Sequence, residues 1–102
     1  MSEKIFVVFF DAKMKTYTDR KQYSSFVKQL KGDGFCMLQK SIYFKLCVDS
    51  SSLKSQSERL KRFTPDTIQT IILSISPQSF NDGVYFNCKK PDFLKNKSII
   101  CI

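Results

Sequence analysis

The chain has 102 residues, which fits one domain, and its 42% hydrophobic and 14% aromatic content lies well above the disordered range. Seventeen Lys and Arg against nine Asp and Glu give a net charge of +8, a balance that argues for a polyanionic partner: nucleic acid first, an acidic membrane surface or acidic protein second. The absence of histidine removes the usual Ser-His and Cys-His nucleophile schemes and histidine general bases, and no apolar run approaches the ~20 residues of a membrane span.

The first element is the strand-like run Ile5 to Phe10, six apolar residues that read as a central strand buried on both faces. It ends abruptly in a carboxylate, Asp11. A polar connection, Ala12 to Thr18, leads to a helix whose start is signalled by Thr18 and Asp19, a capping hydroxyl and a dipole-compatible acid. Tyr23, Phe26, Val27 and Leu30 form its apolar face at i, i+3, i+4 and i+7, with Arg20, Lys28 and Lys31 largely opposite. Gly32 and Gly34 end it.

Phe35 to Gln39 and Ile42 to Val48 read as two strands joined tightly at Lys40-Ser41. The serines at 50 to 52 read as a cap and turn. A second helix follows from Leu53 to Phe63, with a thin face of Leu53, Leu60 and Phe63 and the cations Arg59, Lys61 and Arg62 in its last turn. Pro65 blocks its continuation. Thr67 to Ile75 is another strand, ended by Pro77. The order β-α-β-β-α-β is the ferredoxin-like pattern of an α+β domain, placed over residues 1–80. Residues 81–102 read as a C-terminal extension with candidate short strands at Val84 to Phe86 and Ile99 to Ile102, packing on the chain's own sheet edge or on that of a second subunit.

The four cysteines, Cys36, Cys47, Cys88 and Cys101, form no C-x-x-C pair and have no histidine to complete a zinc site. With no export signal visible after Met1, they are expected to be reduced thiols in a cytoplasmic protein.

Asp11 admits two readings. It is a turn acid or cap partner, or it is the centre of a site at the rim of a sheet. Lys13, Lys15, Arg20 and Lys21 follow within ten residues, so a carboxylate sits inside a basic surface, a setting for Mg²⁺ with phosphate ligands. One carboxylate is a poor Mg²⁺ site, but a symmetric dimer supplies a second. Asp19 and Asp33 read as a helix start and a turn. An RNA-recognition module without catalysis has the same element order, and "KGDGFCML" (Lys31 to Leu38) with "IFVVFF" echoes its signature. Against it, Asp33 and Leu38 stand where aromatic rings are needed, and the segment follows the first helix rather than opening the third strand. A small regulatory dimer that binds a metabolite is a third class, for which no pocket is marked.

"FFDAK…TDRKQY", "KGDGFCMLQKSIY" and "FKLCV" together resemble the smaller of the two universal CRISPR adaptation proteins, over residues 4 to 80. "RLKRFTP" is similar to that family's second-helix end and "ILSISPQSF" to its fourth strand and following turn. The resemblance implies a ferredoxin-like homodimer in which first-strand aspartates of two subunits, here Asp11, face each other across a cleft and hold one divalent cation. It implies a metal-dependent endonuclease acting on RNA or double-stranded DNA. It also implies a scaffold that holds duplex DNA by its backbone between copies of the larger adaptation integrase during spacer acquisition. Gln39, Ser41 and Tyr43 match family positions near the dimer cleft; by themselves the same residues read equally as a hairpin turn with a tyrosine at a strand start. The cations expected on the nucleic acid are Lys13, Lys15, Arg20, Lys21, Arg59 and Arg62. Ala12-Lys13 replaces a Leu-Pro type step common in relatives.

Overall fold

A computed structural model of the chain describes residues 3–47 and 52–91. The element order is β1 (Lys4–Ala12), α1 (Tyr17–Gly32), β2 (Cys36–Gln39), β3 (Ile42–Cys47), α2 (Leu53–Phe63), β4 (Ile68–Ile75) and α3 (Pro77–Asn81). The strands form one antiparallel sheet in the order β2-β3-β1-β4. This is the ferredoxin-like arrangement, with β1 at the centre and α1 and α2 on one face.

β1 alternates between the two faces, as a pleated strand must. Phe6, Val8 and Phe10 enter the cluster under the helices with Phe26, Leu30, Phe35, Tyr43, Leu60 and Ile68. Its aromatic rings pack at tilted or edge-to-face angles, with Phe10 5.1 Å from Phe26 and 5.8 Å from Tyr43. Ile5 and Val7 enter a smaller cluster on the other face with Cys36, Phe44 and Phe80. That second cluster is closed by α3, which the sequence reading took for a turn. Pro77 opens the helix at a position that needs no N–H donor, and the Ser76 hydroxyl accepts from the backbone N–H of Ser79 at 3.1 Å. Phe80 then comes down on Phe44, with ring centroids 5.0 Å apart.

The start of α1 also differs from expectation. Thr16, not Thr18, is the cap: its hydroxyl accepts from the N–H of Asp19 at 3.0 Å, and the Asp19 carboxylate accepts from the N–H of Thr16 at 3.2 Å. This reciprocal box requires the acid three residues after the cap, a spacing that Thr18-Asp19 cannot supply. Asp19 is thereby spent on structure. The helix ends as expected, with Gly34 in the left-handed region at φ 97°, where a Cβ would also meet the Lys45 side chain at 3.4 Å. The α2 bounds match the expected ones, and Ser52 caps that helix.

Three further expectations change. β1 is not buried on both faces throughout, because Phe9 is 37% exposed. Val84 to Phe86 form no strand and pair with neither edge of the sheet, β2 or β4. Cys47 and Cys88 carry reduced thiols, but Cys36 is disulfide-bonded, so the four thiols are not all reduced. Val48, Ser50, Ser51, Cys101 and the candidate strand Ile99 to Ile102 lie outside the described residues. α3 crosses the boundary expected at residue 80. Among the described residues no helix is long and apolar enough to cross a membrane.

Candidate functional site

Asp11 lies one pleat beyond Phe9 on the face of the sheet away from α1 and α2, paired across β4 with Gln69. It is exposed, and no donor among the described residues meets its carboxylate. No group of three or more His, Cys, Asp or Glu side chains among the described residues is placed to hold a metal ion. A hard divalent cation takes six or more oxygens, so the Asp11 of one chain does not make a metal site alone.

The surface beside Asp11 is apolar. Phe9 pairs with Ile71 and with Ile42, and Val7 pairs with Leu73; Ile71 is 60% and Leu73 46% exposed. The short α3 covers the Ile5 end of this face, and no other element among the described residues covers the Asp11 end. Sequence reasoning did not single out Phe9, Ile71 or Leu73. The consecutive Ile71-Ile72-Leu73 run contained the signal, since an alternating strand with one solvated face would not carry three apolar residues in a row.

The residues expected at a dimer cleft separate. A register shift between Met37 and Gln39 places Gln39 opposite Ile42, on the row that carries Ile42, Phe9 and Ile71; a bulge re-aims a side chain in this way. Ser41 sits in the adjoining turn, and its carbonyl accepts from the N–H of Phe10 at 3.0 Å. Both therefore stand at the Asp11 end of the sheet. Tyr43 does not. It pairs with Val8, is 2% exposed and packs beneath the helices. Burial, with a smaller contribution from Tyr23, pushes its hydroxyl pKa above the usual value.

The cations separate as well. Lys13 and Lys15 occupy the exposed β1–α1 connection, and Arg20 and Lys21 the exposed first turns of α1. The connection is held in place by the N–H of Lys13 donating to the Thr67 carbonyl at 3.4 Å and the Arg20 guanidinium donating to the Lys15 carbonyl at 3.4 Å. Lys40, in the β2–β3 turn, stands at the same end, where its carbonyl accepts from the Tyr23 hydroxyl at 3.5 Å. Arg59 is elsewhere and otherwise engaged: it forms an ion pair with Asp33, whose side chain is 8% exposed. The same carboxylate accepts from the Gln56 amide at 2.8 Å, and Gln56 accepts from the Lys45 ammonium at 3.3 Å. Arg62 lies in the seam between α1 and α2, exposed, with no partner among the described residues.

The RNA-recognition alternative needs aromatic rings displayed on the open sheet face. Among the described strand residues of that face only Phe9 offers one to solvent; Phe44 lies beneath Phe80.

Comparison with known proteins gives a consistent result. The family model for CRISPR associated protein Cas2 matches residues 4–82. A "CRISPR-associated endoribonuclease Cas2" of Ligilactobacillus salivarius is 31% identical over 94 residues, covering 90% of this chain and 91% of that protein. Proteins of the same name from Flavobacterium psychrophilum and Streptococcus mutans are 33% and 30% identical, covering 83% and 88% of this chain and 74% and 84% of their own length.

Proposed function

The chain belongs to the CRISPR-associated Cas2 family, and from that premise we propose that it serves CRISPR adaptation as a homodimeric scaffold that grips duplex DNA by its backbone for the larger integrase. The observation that carries this reading is the open sheet face. An apolar patch of Phe9, Ile71 and Leu73 ends in a carboxylate with no donor among the described residues, and four exposed cations follow on the adjoining connection and the start of α1. Two copies meeting through this patch would bury the apolar side chains and bring the two Asp11 ends together about a twofold axis. Lys13, Lys15, Arg20 and Lys21 would neutralise phosphates without reading bases. The extension from residue 81 onward is assigned to contacts with the partner subunit or the integrase.

A second reading, metal-dependent endonuclease, is favoured by the exposure of Asp11 and by the endoribonuclease names of the relatives. The two Asp11 carboxylates of the dimer would hold the cation, with the substrate phosphate and waters completing its shell. When bound, Mg²⁺ or another divalent ion supplies Lewis acidity toward a phosphodiester. The chain's own part is to fix both carboxylates at strand ends and to seat the nucleic acid on the flanking lysines. Cellular work is assigned to the scaffold ahead of independent cleavage, in the cytoplasm where the CRISPR locus lies.

Two measurements test these readings. Each phosphate contact contributes about −0.9 to the slope of log affinity against log salt on duplex DNA. Changing Lys13, Lys15, Arg20 and Lys21 together to Glu flattens that slope and weakens all duplex sequences alike; unchanged binding at low salt would sink the scaffold reading. Integration of a short duplex by this protein with the integrase encoded beside it then compares wild type with Asp11→Ala. Retained integration with lost divalent-dependent cleavage separates the two roles.

A further inference from the structure

We propose that the seam between α1 and α2 is a second nucleic-acid site, one that takes a single strand, and that it is separate from the duplex-gripping cations of the β1–α1 connection. The inference deepens the nucleic-acid reading above and rests on it, but it uses different residues. The two helices pack through Phe26 and Phe63, with ring centroids 5.8 Å apart. Beside this contact lie two adjoining shallow clefts. One half is lined by Lys28, Gln29 and Gly32 of α1 with Arg59 and Arg62 of α2; the other half runs past Gln22 and Ser25 to Thr64 and Pro65. Arg62 and Phe63 line both halves.

The charge left without a partner in the groove, among the described residues, has one sign. Its carboxylate, Asp33, is already satisfied by Arg59 and Gln56. Lys28 and Arg62, exposed on opposite walls, have no partner among the described residues. Amide and hydroxyl groups of Gln22, Ser25 and Gln29 add neutral hydrogen-bonding capacity. Phe63 is partly buried, packs its ring against Phe26 and lines both halves of the seam. A cationic track with an aromatic ring in its floor is the arrangement that holds single strands, through phosphate neutralisation and base stacking. An acidic peptide would use the cations but has no need of the ring, and a duplex is too wide to bring a base to it.

The length and direction of the groove fit this occupant. Gln22 to Gly32 spans about 15 Å of helix, room for a few nucleotides of extended strand. Its Gln22 end opens at the same end of the domain as Asp11. There the Gln22 side chain accepts from the Thr67 hydroxyl at 2.6 Å, and Thr67 in turn accepts from the N–H of Lys13. A strand leaving a duplex held at the β1–α1 connection can therefore continue into the seam.

The experiment measures fluorescence anisotropy of a labelled oligothymidylate and of a labelled duplex against the full chain across a salt series. Lys28→Glu with Arg62→Glu is expected to weaken oligothymidylate binding at least tenfold. It also lowers the salt slope by about 1.4, two contacts at about 0.7 each on single strands, and leaves duplex affinity within twofold. Lys13→Glu with Lys15→Glu does the reverse. Phe63→Leu, confirmed folded by thermal melting, weakens oligothymidylate binding and not its salt slope. Unchanged single-strand affinity in the seam variant overturns the proposal. So does displacement of the oligothymidylate by poly-glutamate at matched charge, which would make the seam a site for an acidic protein. If the Lys13/Lys15 variant keeps full duplex affinity while the seam variant loses the single strand, the scaffold reading fails and the seam stands.

Discussion

Phe9 and Phe10 are neighbours on one strand and meet opposite surroundings. Phe10 is enclosed by Tyr23, Phe26 and Tyr43, while Phe9 looks out beside Ile71 with more than a third of its surface in water. The difference follows from what the chain places on each face of the sheet. Two helices of 16 and 11 residues cover one face, and a five-residue helix covers one end of the other. The covered face is complete within one chain and specifies the fold. Among the described residues the open face stops short, and its uncovered part carries Asp11 and is where the proposed dimer contact would form.

The contrast is broken most severely from the covered side. Phe26→Ala removes the ring that joins β1 to both helices and is expected to cost about 3–5 kcal/mol in urea unfolding. A loss below about 1 kcal/mol would mean that the helix layer repacks freely. Phe80→Ala uncovers the remaining end of the open face at about 2–3 kcal/mol, because α3 shields only part of it. Asp33→Ala tests the tie between the end of α1 and α2. It strands the buried Gln56 amide, for about 1–3 kcal/mol, and the exposed Arg59 side contributes little of this. A change indistinguishable from zero by thermal melting would show that water replaces the carboxylate.

The open face responds in association rather than stability. Ile71→Asp leaves unfolding within about 0.5 kcal/mol, since the side chain is already in water, and converts a dimer to a monomer in sedimentation. A dimer that survives the substitution moves the interface elsewhere. The smallest effect concerns Tyr43. Its folded-state pKa is raised, chiefly by burial, so its contribution is whole below the unfolded value near 10 and is lost as pH rises through the folded value. Stability should therefore fall above about pH 10, and Tyr43→Phe should make that alkaline decline shallower with little change at neutral pH. Equal slopes for the two proteins would assign the decline to other groups.

The sequence carried the element order because its signals are local. The i, i+3, i+4, i+7 face of α1, the serine cap of α2 and the proline after it each act over a few residues. It missed the Thr16 cap by two positions because two threonines precede Asp19, and only one stands at the spacing a capping box needs. It missed α3 because Ser-Pro-x-x-Phe reads equally as a turn or as a capped helix until something exists for Phe80 to pack on.

Of the candidate site, Asp11 at a strand end and the cations after it were legible in the sequence, and so was the family, carried by "FFD", "KGDGFCMLQKSIY" and their neighbours. What each residue faces was not. The register β2-β3-β1-β4 set Tyr43 under the helices and Gln39, through a bulge, on the side of Asp11. Helix packing gave Arg59 to Asp33 and left Lys28 and Arg62 lining one cleft between the helices, without a partner among the described residues. Composition and local pattern determined which charges and rings the chain owns. Strand pairing and helix docking join residues far apart in sequence, and they alone decided which charges are cancelled, which rings are covered and which are left for a partner.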